Sequence, residues 1–316
     1  TPLQSPDRTA STSEDLETAG DRRDLTRGAA ASLAGHVVRW IHPVLLAFAT
    51  RSFGARTWGL YAAGVGVAWI GLRFSLWGDD RALPWWVGRR AEGAPVTGLW
   101  AIAKRVLWRS LGVAAVLAFA ARFAAEHWHA PEARPLFLSL ACALPLMAMT
   151  ELALFATIGL KRLGLQVAVR EIVVPLSFLP LSLVLFHGLG GAHSIEALAA
   201  AHLVSVGLGC VVAVVGCRRV FRAHHLDLRF EGGAVPDAFR RYAVPIGFGE
   251  LLATVLKRSD TLLLAFVAGP AVVGVYEIAK QFANTLHSIR VGFDTDVGSV
   301  LPLPARPHST PLPSPG

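Results

Sequence analysis

The segment from Glu250 to Phe266 reads ELLATVLKRSDTLLLAF. Most of it suits a lipid bilayer, yet Lys257, Arg258 and Asp260 stand in its middle. At about 100° per residue, Glu250, Thr254, Lys257, Arg258, Asp260 and Thr261 fall within about 160° of a helix wheel, with Leu252, Val255 and Leu263 mostly elsewhere. One Lys or Arg at mid-bilayer costs ~2.5–3.5 kcal/mol on insertion scales, so a stripe this polar must face a wet cavity or other helices. Lys257 and Asp260, three residues apart, are spaced to pair. Arg258 is then the freer cation, with Glu250 or another helix able to neutralise it. Its planar fork suits a phosphate; the other reading is an ion pair between helices.

The rest of the chain sets that segment in a membrane. Of 316 residues, 53% are hydrophobic, and the mean hydropathy of +0.48 exceeds what soluble domains usually reach. A spanning helix needs about 20 mostly apolar residues. Eight stretches qualify: 30–50, 57–77, 108–126, 135–160, 166–189, 195–217, 242–268 and 271–293. Breakers separate them: Gly54, Pro131, Pro135, Gly164, the run HGLGGAH and the run AGPA. The alternation of a transmembrane barrel is absent, so the expected fold is all-α, a polytopic membrane helical bundle. Cys142, Cys210 and Cys217 all lie in apolar runs and read as core residues.

Lys and Arg fall unevenly among the gaps. One alternate set holds Arg8, Arg22, Arg23 and Arg27, then Arg81, Arg89, Arg90, Lys104, Arg105 and Arg109, then Lys161 and Arg162, then Arg218, Arg219, Arg222, Arg229, Arg240 and Arg241. The other holds only Arg51, Arg56 and Arg134. The positive-inside rule therefore places the N-terminus in the cytoplasm. Within the gap 78–107, VTGLWAIAKRVLWRS is expected to lie at the interface, either as a lipid-contacting helix or as an ordinary amphipathic lead into the third span. The net charge of +8 forms no basic stripe with interleaved aromatics, so it indicates topology and no nucleic acid. Residues 1–28 read as a solvated cytoplasmic tail, and 296–316 as an extended Pro-rich tail. Between them the expected units are a six-helix lobe over 29–217, a basic cytoplasmic linker over 218–241, and two helices of a second lobe over 242–295.

A repeat joins the first and seventh spans. LLAF occurs at 45–48 and again at 263–266, each followed by Gly-x-Tyr, at Gly59–Tyr61 and Gly274–Tyr276. Arg39 lies six residues before the first copy, as Lys257 does before the second; His42 and Asp260 also correspond. With six spans between them the copies cross in the same direction, a parallel repeat of the kind that places a substrate site between halves. Arg39, with His36 and His42 on its side of the helix, is expected to face the same cavity as Lys257. The alternatives are a paired or snorkelling arginine and packing histidines.

These residues resemble a known family. RSFGARTWGLYAAGVGV (51–67) resembles the second-span start of polysaccharide flippases of the oligosaccharidyl-lipid/multidrug exporter superfamily. The run YAVPIGFGELLATVLKRSDTLLLAFVAGPAVVGVYEIAKQFAN (242–284) is similar to their seventh and eighth spans, and ATIGLKRLGLQVAVREIVVPLSF (156–178) to their fifth-span region. The similarity covers roughly 25–295. It implies two six-helix lobes around a central cavity and movement of lipid-linked oligosaccharides across a bacterial inner membrane for O-antigen or exopolysaccharide assembly. The partners implied are the polyprenyl diphosphate-linked oligosaccharide, membrane lipids and other polysaccharide assembly proteins, with no cofactor or metal. The pattern ends after Ser299, which gives the expectation of a C-terminally truncated chain of about eight spans and, as a further reading, an inactive fragment.

Other charged positions carry competing readings. Glu151, alone at mid-span, is placed to carry protons or Na⁺ if the chain is a cation-coupled multidrug exporter; otherwise it pairs with Arg170 or Arg122. Arg170 and Glu171 are expected at the interface. Asp79 and Asp80 are spaced to hold Mg²⁺ on a lipid diphosphate, as a membrane-embedded glycosyl- or prenyltransferase would, but no second acidic cluster follows. His127 and His129 lack a third ligand nearby for zinc. In GVGVAWIG (64–71) the small residues are expected to allow close helix packing.

Overall fold

An apolar run in lipid has no water to satisfy its backbone, so each run closes its hydrogen bonds internally as a helix. The computed structural model describes residues 51–90, 98–189, 193–224 and 234–284, and every regular element among them is helical. We number the helices α1 (Ala55–Leu76), α2 (Asp79–Arg90), α3 (Leu99–His127) and α4 (Ala133–Ile158). Next come α5 (Gly164–Gly188), α6 (Ser194–Ala223), α7 (Asp237–Val267) and α8 (270–284). Five of these, α1 and α3 to α6, are long and apolar enough to cross a membrane. The protein is an all-α polytopic membrane protein. The expected first span, 30–50, lies outside the described residues, as do both tails. The seventh expected segment is helical in α7 and the described part of the eighth, to 284, in α8, but α7 carries too many charges to join the apolar five.

Several boundaries differ from expectation. The third span begins at Leu99 instead of 108, because the stretch holding Lys104 and Arg105 continues the same helix. The basic linker is shorter than 218–241, since α6 runs to Ala223 and α7 starts at Asp237. In α5, residues Ala168–Val173 form a widened π turn just before Pro175, whose ring nitrogen has no N–H to donate. That turn carries Arg170.

Helix α4 lies at the centre of the bundle, packed against α3, α6 and α1. Its side chains are buried along nearly its whole length. Gly64 and Gly71 of α1 face Leu140 and Leu144 of α4, so the small residues of GVGVAWIG do seat neighbouring leucines. One apolar cluster, around Tyr61, Leu136, Phe178 and Leu198, fills one end of the bundle. A second, around Leu76, Trp86, Val106, Leu152 and Phe239, fills the end where α2 sits.

Helices α7 and α8 dock on α1. Two glycines of the repeat make this possible. A Cβ on Gly59 would lie 1.7 Å from the Pro270 carbonyl oxygen, and one on Gly274 would lie 1.9 Å from the Ala55 carbonyl oxygen. Each glycine thus meets the residue four positions before its counterpart, the reciprocal contact of a two-fold arrangement. Near the other end of α1, Gly78 and Gly247 make a second backbone contact, and a Cβ on Gly78 would lie 2.2 Å from the Ala243 carbonyl oxygen. Backbone is rigid, so a side chain at any of these positions must separate the helices. Gly59→Leu or Gly274→Leu is expected to lower stability by about 1–3 kcal/mol. Gly112→Leu, at a position with open space around it, should change it by less than about 0.5 kcal/mol. Thermal melting of the purified protein in one detergent checks both.

Candidate functional site

Charged side chains collect in two places along α7. The first lies at the α2 end, where α1, α2, α3, α4 and α7 converge. Asp80 is fully buried and accepts from Nη1 of Arg73, itself nearly buried, at 2.8 Å. Glu250 of α7 sits 3.8 Å from that same nitrogen and 2.9 Å from Nε of Arg81. It therefore ties α7 to α1 and α2, instead of neutralising Arg258 within its own helix. Asp79 offers its two oxygens to separate arginines of α3: Arg105 takes one, and Arg109 donates to the other at 2.8 Å. Burial pushes the Asp79 carboxyl above the usual carboxylate range, while Arg109 and Arg105 pull it back.

This geometry corrects the Mg²⁺ reading of Asp79 and Asp80. The carboxylates diverge, one toward α3 and one toward α1, and three guanidiniums already occupy them. A divalent cation would have to displace those arginines. Among the described residues no cluster of His, Cys, Asp or Glu is placed to hold a metal ion, and the histidines near Trp128 have other contacts. His127 stacks between Phe123 and Phe266, and His129 accepts through its carbonyl from Arg56.

Glu151 is buried in α4 and paired with Arg170 across from α5. Arg122 pairs instead with Glu126 on its own helix. Arg170, carried on the π turn and one-third exposed, thus pairs with Glu151. Arg81 and Arg170 both lie over the Phe155 ring, 4.9 and 5.4 Å from its centre. Glu151 is accordingly committed to a partner inside the bundle, unlike the free acidic cavity residue that a cation-coupled drug exporter would use.

The second collection lies between α7 and α8. Asp260 accepts from the Tyr276 hydroxyl at 2.6 Å, from Lys280 Nζ at 2.7 Å and from its neighbour's backbone N–H at 2.7 Å. The Thr261 hydroxyl donates to Glu277, which lies 3.8 Å from the same ammonium. Asp260 thus takes Lys280, not Lys257. The turn at Gly269 and Pro270 folds α8 back and makes that partner available, and no spacing rule within one helix could have found it. The repeat did carry a signal, since Tyr276 stands where Tyr61 stands in the first copy. Tyr61 also bonds a titratable group, His202 of α6, at 2.8 Å.

With Glu250 and Asp260 both claimed, Lys257 is exposed and Arg258 half-buried, and neither has an ion-pair partner among the described residues. His36, Arg39 and His42 lie outside the described residues, so their position relative to α7 is a matter for proposal. The sequence of 30–50 contains no Asp or Glu, so the first expected span holds no carboxylate for these two cations.

A family described as polysaccharide biosynthesis protein matches residues 106–297, about three fifths of the chain. No curated protein and no solved structure matches it.

The paired charges give a direct test. Asp80→Leu leaves Arg73 buried with only Glu250 at 3.8 Å, and it is expected to cost about 3–5 kcal/mol. The double variant Arg73→Met, Asp80→Leu should recover most of that loss, because no charge is then left unmatched. Melting temperatures of the single and double variants in detergent check the prediction.

Proposed function

The chain belongs to the polysaccharide biosynthesis protein family, whose members are flippase-type transporters, and from that premise we propose that it moves a lipid-linked oligosaccharide across the bacterial inner membrane for surface polysaccharide assembly. The observation that carries the reading is the pair Lys257–Arg258, unmatched among the described residues. A family member that carries a lipid diphosphate must present positive charge inside the membrane without cancelling it. Glu250 and Asp260, the nearest carboxylates on the same helix, are both held by other cations. The face between them is left net positive. A diphosphate linker presents several negative oxygens, and a guanidinium beside an ammonium binds such a group by charge-assisted hydrogen bonds.

On this reading Arg39 brings a third cation to the cavity as the repeat counterpart of Lys257, with His36 and His42 beside it. Substrate would load with the cavity open to the cytoplasm, the side assigned by the positive charges. The two groups of helices would then rock about the site, with the prenyl chain kept in lipid. Glu250 and Asp260 act as positioning groups, one fixing α7 on α1 and α2, the other fixing α8 on α7. The enzyme reading through Asp79 and Asp80 has no support in their geometry.

Placed in a full-length member of the family, the substitution corresponding to Arg258→Ala is expected to abolish polysaccharide export in a strain lacking its own flippase. Membrane protein levels should be normal. Arg258→Lys should restore part of the export, because the charge returns without the fork. Unchanged polysaccharide output from the alanine variant would remove Arg258 from the site.

A further inference from the structure

A second cationic site lies far from the first. Arg105 and Arg109 of α3 and Arg240 of α7 line a pocket of about 360 Å³, together with Phe74, Trp77 and Asp79. Three guanidiniums face one carboxylate there. Asp79 holds Arg105 and Arg109 by one nitrogen each, which fixes both forks and leaves other N–H groups of each guanidinium available. Apart from Asp79, Arg109 makes only long contacts of 3.5 Å, from Nη1 to the Ser75 and Leu76 carbonyls. The nearest carboxylate to Arg240 among the described residues is Asp237, at 3.9 Å with both side chains largely exposed, a contact worth little. The pocket therefore keeps an excess of positive charge in pre-set geometry, which favours an anion with several oxygens.

Its rim is of a different character. Phe74 is 45% exposed and stacks on Trp77 at 6.0 Å, at the end of the apolar helix α1. An aromatic pair beside guanidiniums at a helix end is the arrangement expected at the level of lipid headgroups. A small soluble anion would use the arginines and leave the aromatic rim bare. A phosphate carrying a hydrocarbon chain uses both. Along α7, Arg240 and Lys257 are 17 residues apart, or roughly 25 Å in a helix. One diphosphate does not reach both sites.

We propose that this pocket binds the phosphate headgroup of a lipid in the leaflet at the α2 end of the bundle, the end that the positive charges assign to the cytoplasm. The phosphate sits among Arg105, Arg109 and Arg240, and its chain lies over Phe74 and Trp77. The lipid is either an anionic glycerophospholipid of that leaflet or the prenyl diphosphate cargo waiting to load; both present the same chemistry to the arginines.

Native mass spectrometry of the purified chain tests this, with phosphatidylglycerol, a polyprenyl diphosphate or phosphatidylcholine added singly to the detergent solution. Retention of phosphatidylglycerol above phosphatidylcholine supports a membrane phospholipid. Retention of the polyprenyl diphosphate alone supports the cargo. In either case Arg240→Gln, an exposed substitution with no buried partner, should weaken retention about tenfold. Arg105→Gln should do the same, and Arg122→Gln, at an exposed arginine outside both sites, should leave it unchanged. Equal retention of phosphatidylcholine, or retention indifferent to both Arg240→Gln and Arg105→Gln, overturns the proposal. Loss on Arg122→Gln equal to that on Arg240→Gln makes the binding a diffuse surface-charge effect and overturns it too. Because the readout is binding, it stands or falls separately from the transport assay.

Discussion

A charge taken into a helical bundle in lipid must find a partner or face water, and the distribution of partners is what organises this protein. Asp79, Asp80, Glu151, Glu250 and Asp260 each sit against at least one arginine or lysine from a different helix or from the far end of a neighbouring one. These pairs are more than local neutralisation. Asp80 and Asp79 tie the start of α2 to α1 and α3. Glu151 ties the π turn of α5 to α4 through Arg170. Glu250 carries the connection across to α7. Once each of these acids is accounted for, Lys257 and Arg258 stand unmatched among the described residues, which is what the proposed anion site rests on.

The second constraint is the close approach of backbones between α1 and the α7–α8 pair. Glycines at 59, 274, 78 and 247 let the chains touch at two points along α1. Between those points a Cβ on Gly66 would lie 3.5 Å from the Leu262 side chain. These contacts set the rotation of α7, and rotation decides which residues face α1. Ala243, Gly247, Thr261 and Ala265 turn inward and are buried, while Lys257 is left exposed. The polar stripe of α7 therefore divides. Glu250 and Thr261 take structural partners, and the two cations between them do not.

The helical, membrane-spanning character was legible in the sequence, because apolar runs of sufficient length leave the backbone no other solution. The ends of the helices were less so: Lys104 and Arg105 look like interfacial charges in sequence, but helical hydrogen bonding continues through them from Leu99. The pairing of Glu151 with Arg170 was one of two partners the sequence offered, and Arg122 is held instead by Glu126 on its own helix. The partner of Asp260 was hidden because it belongs to the next helix, folded back by a glycine with positive φ. The pairing of Arg73 with Asp80 spans seven residues and a turn between helices, so no single-helix spacing reports it. The repeat was the most informative sequence signal, since its two glycines proved to be the points where the copies touch.

The most direct test of this account is the register of α7 on α1. Single cysteines at position 66 combined with cysteines at 262, 256 or 257, in a background free of Cys142, Cys210 and Cys217, can be joined in membranes by oxidation or a short linker. Cross-linking of Gly66→Cys with Leu262→Cys, and not with Leu256→Cys or Lys257→Cys, which lie more than about 100° away around the helix, is the predicted result. Efficient cross-linking at 256 or 257 would turn the Lys257 face toward α1, and the proposed phosphate-binding role of that face would be contradicted.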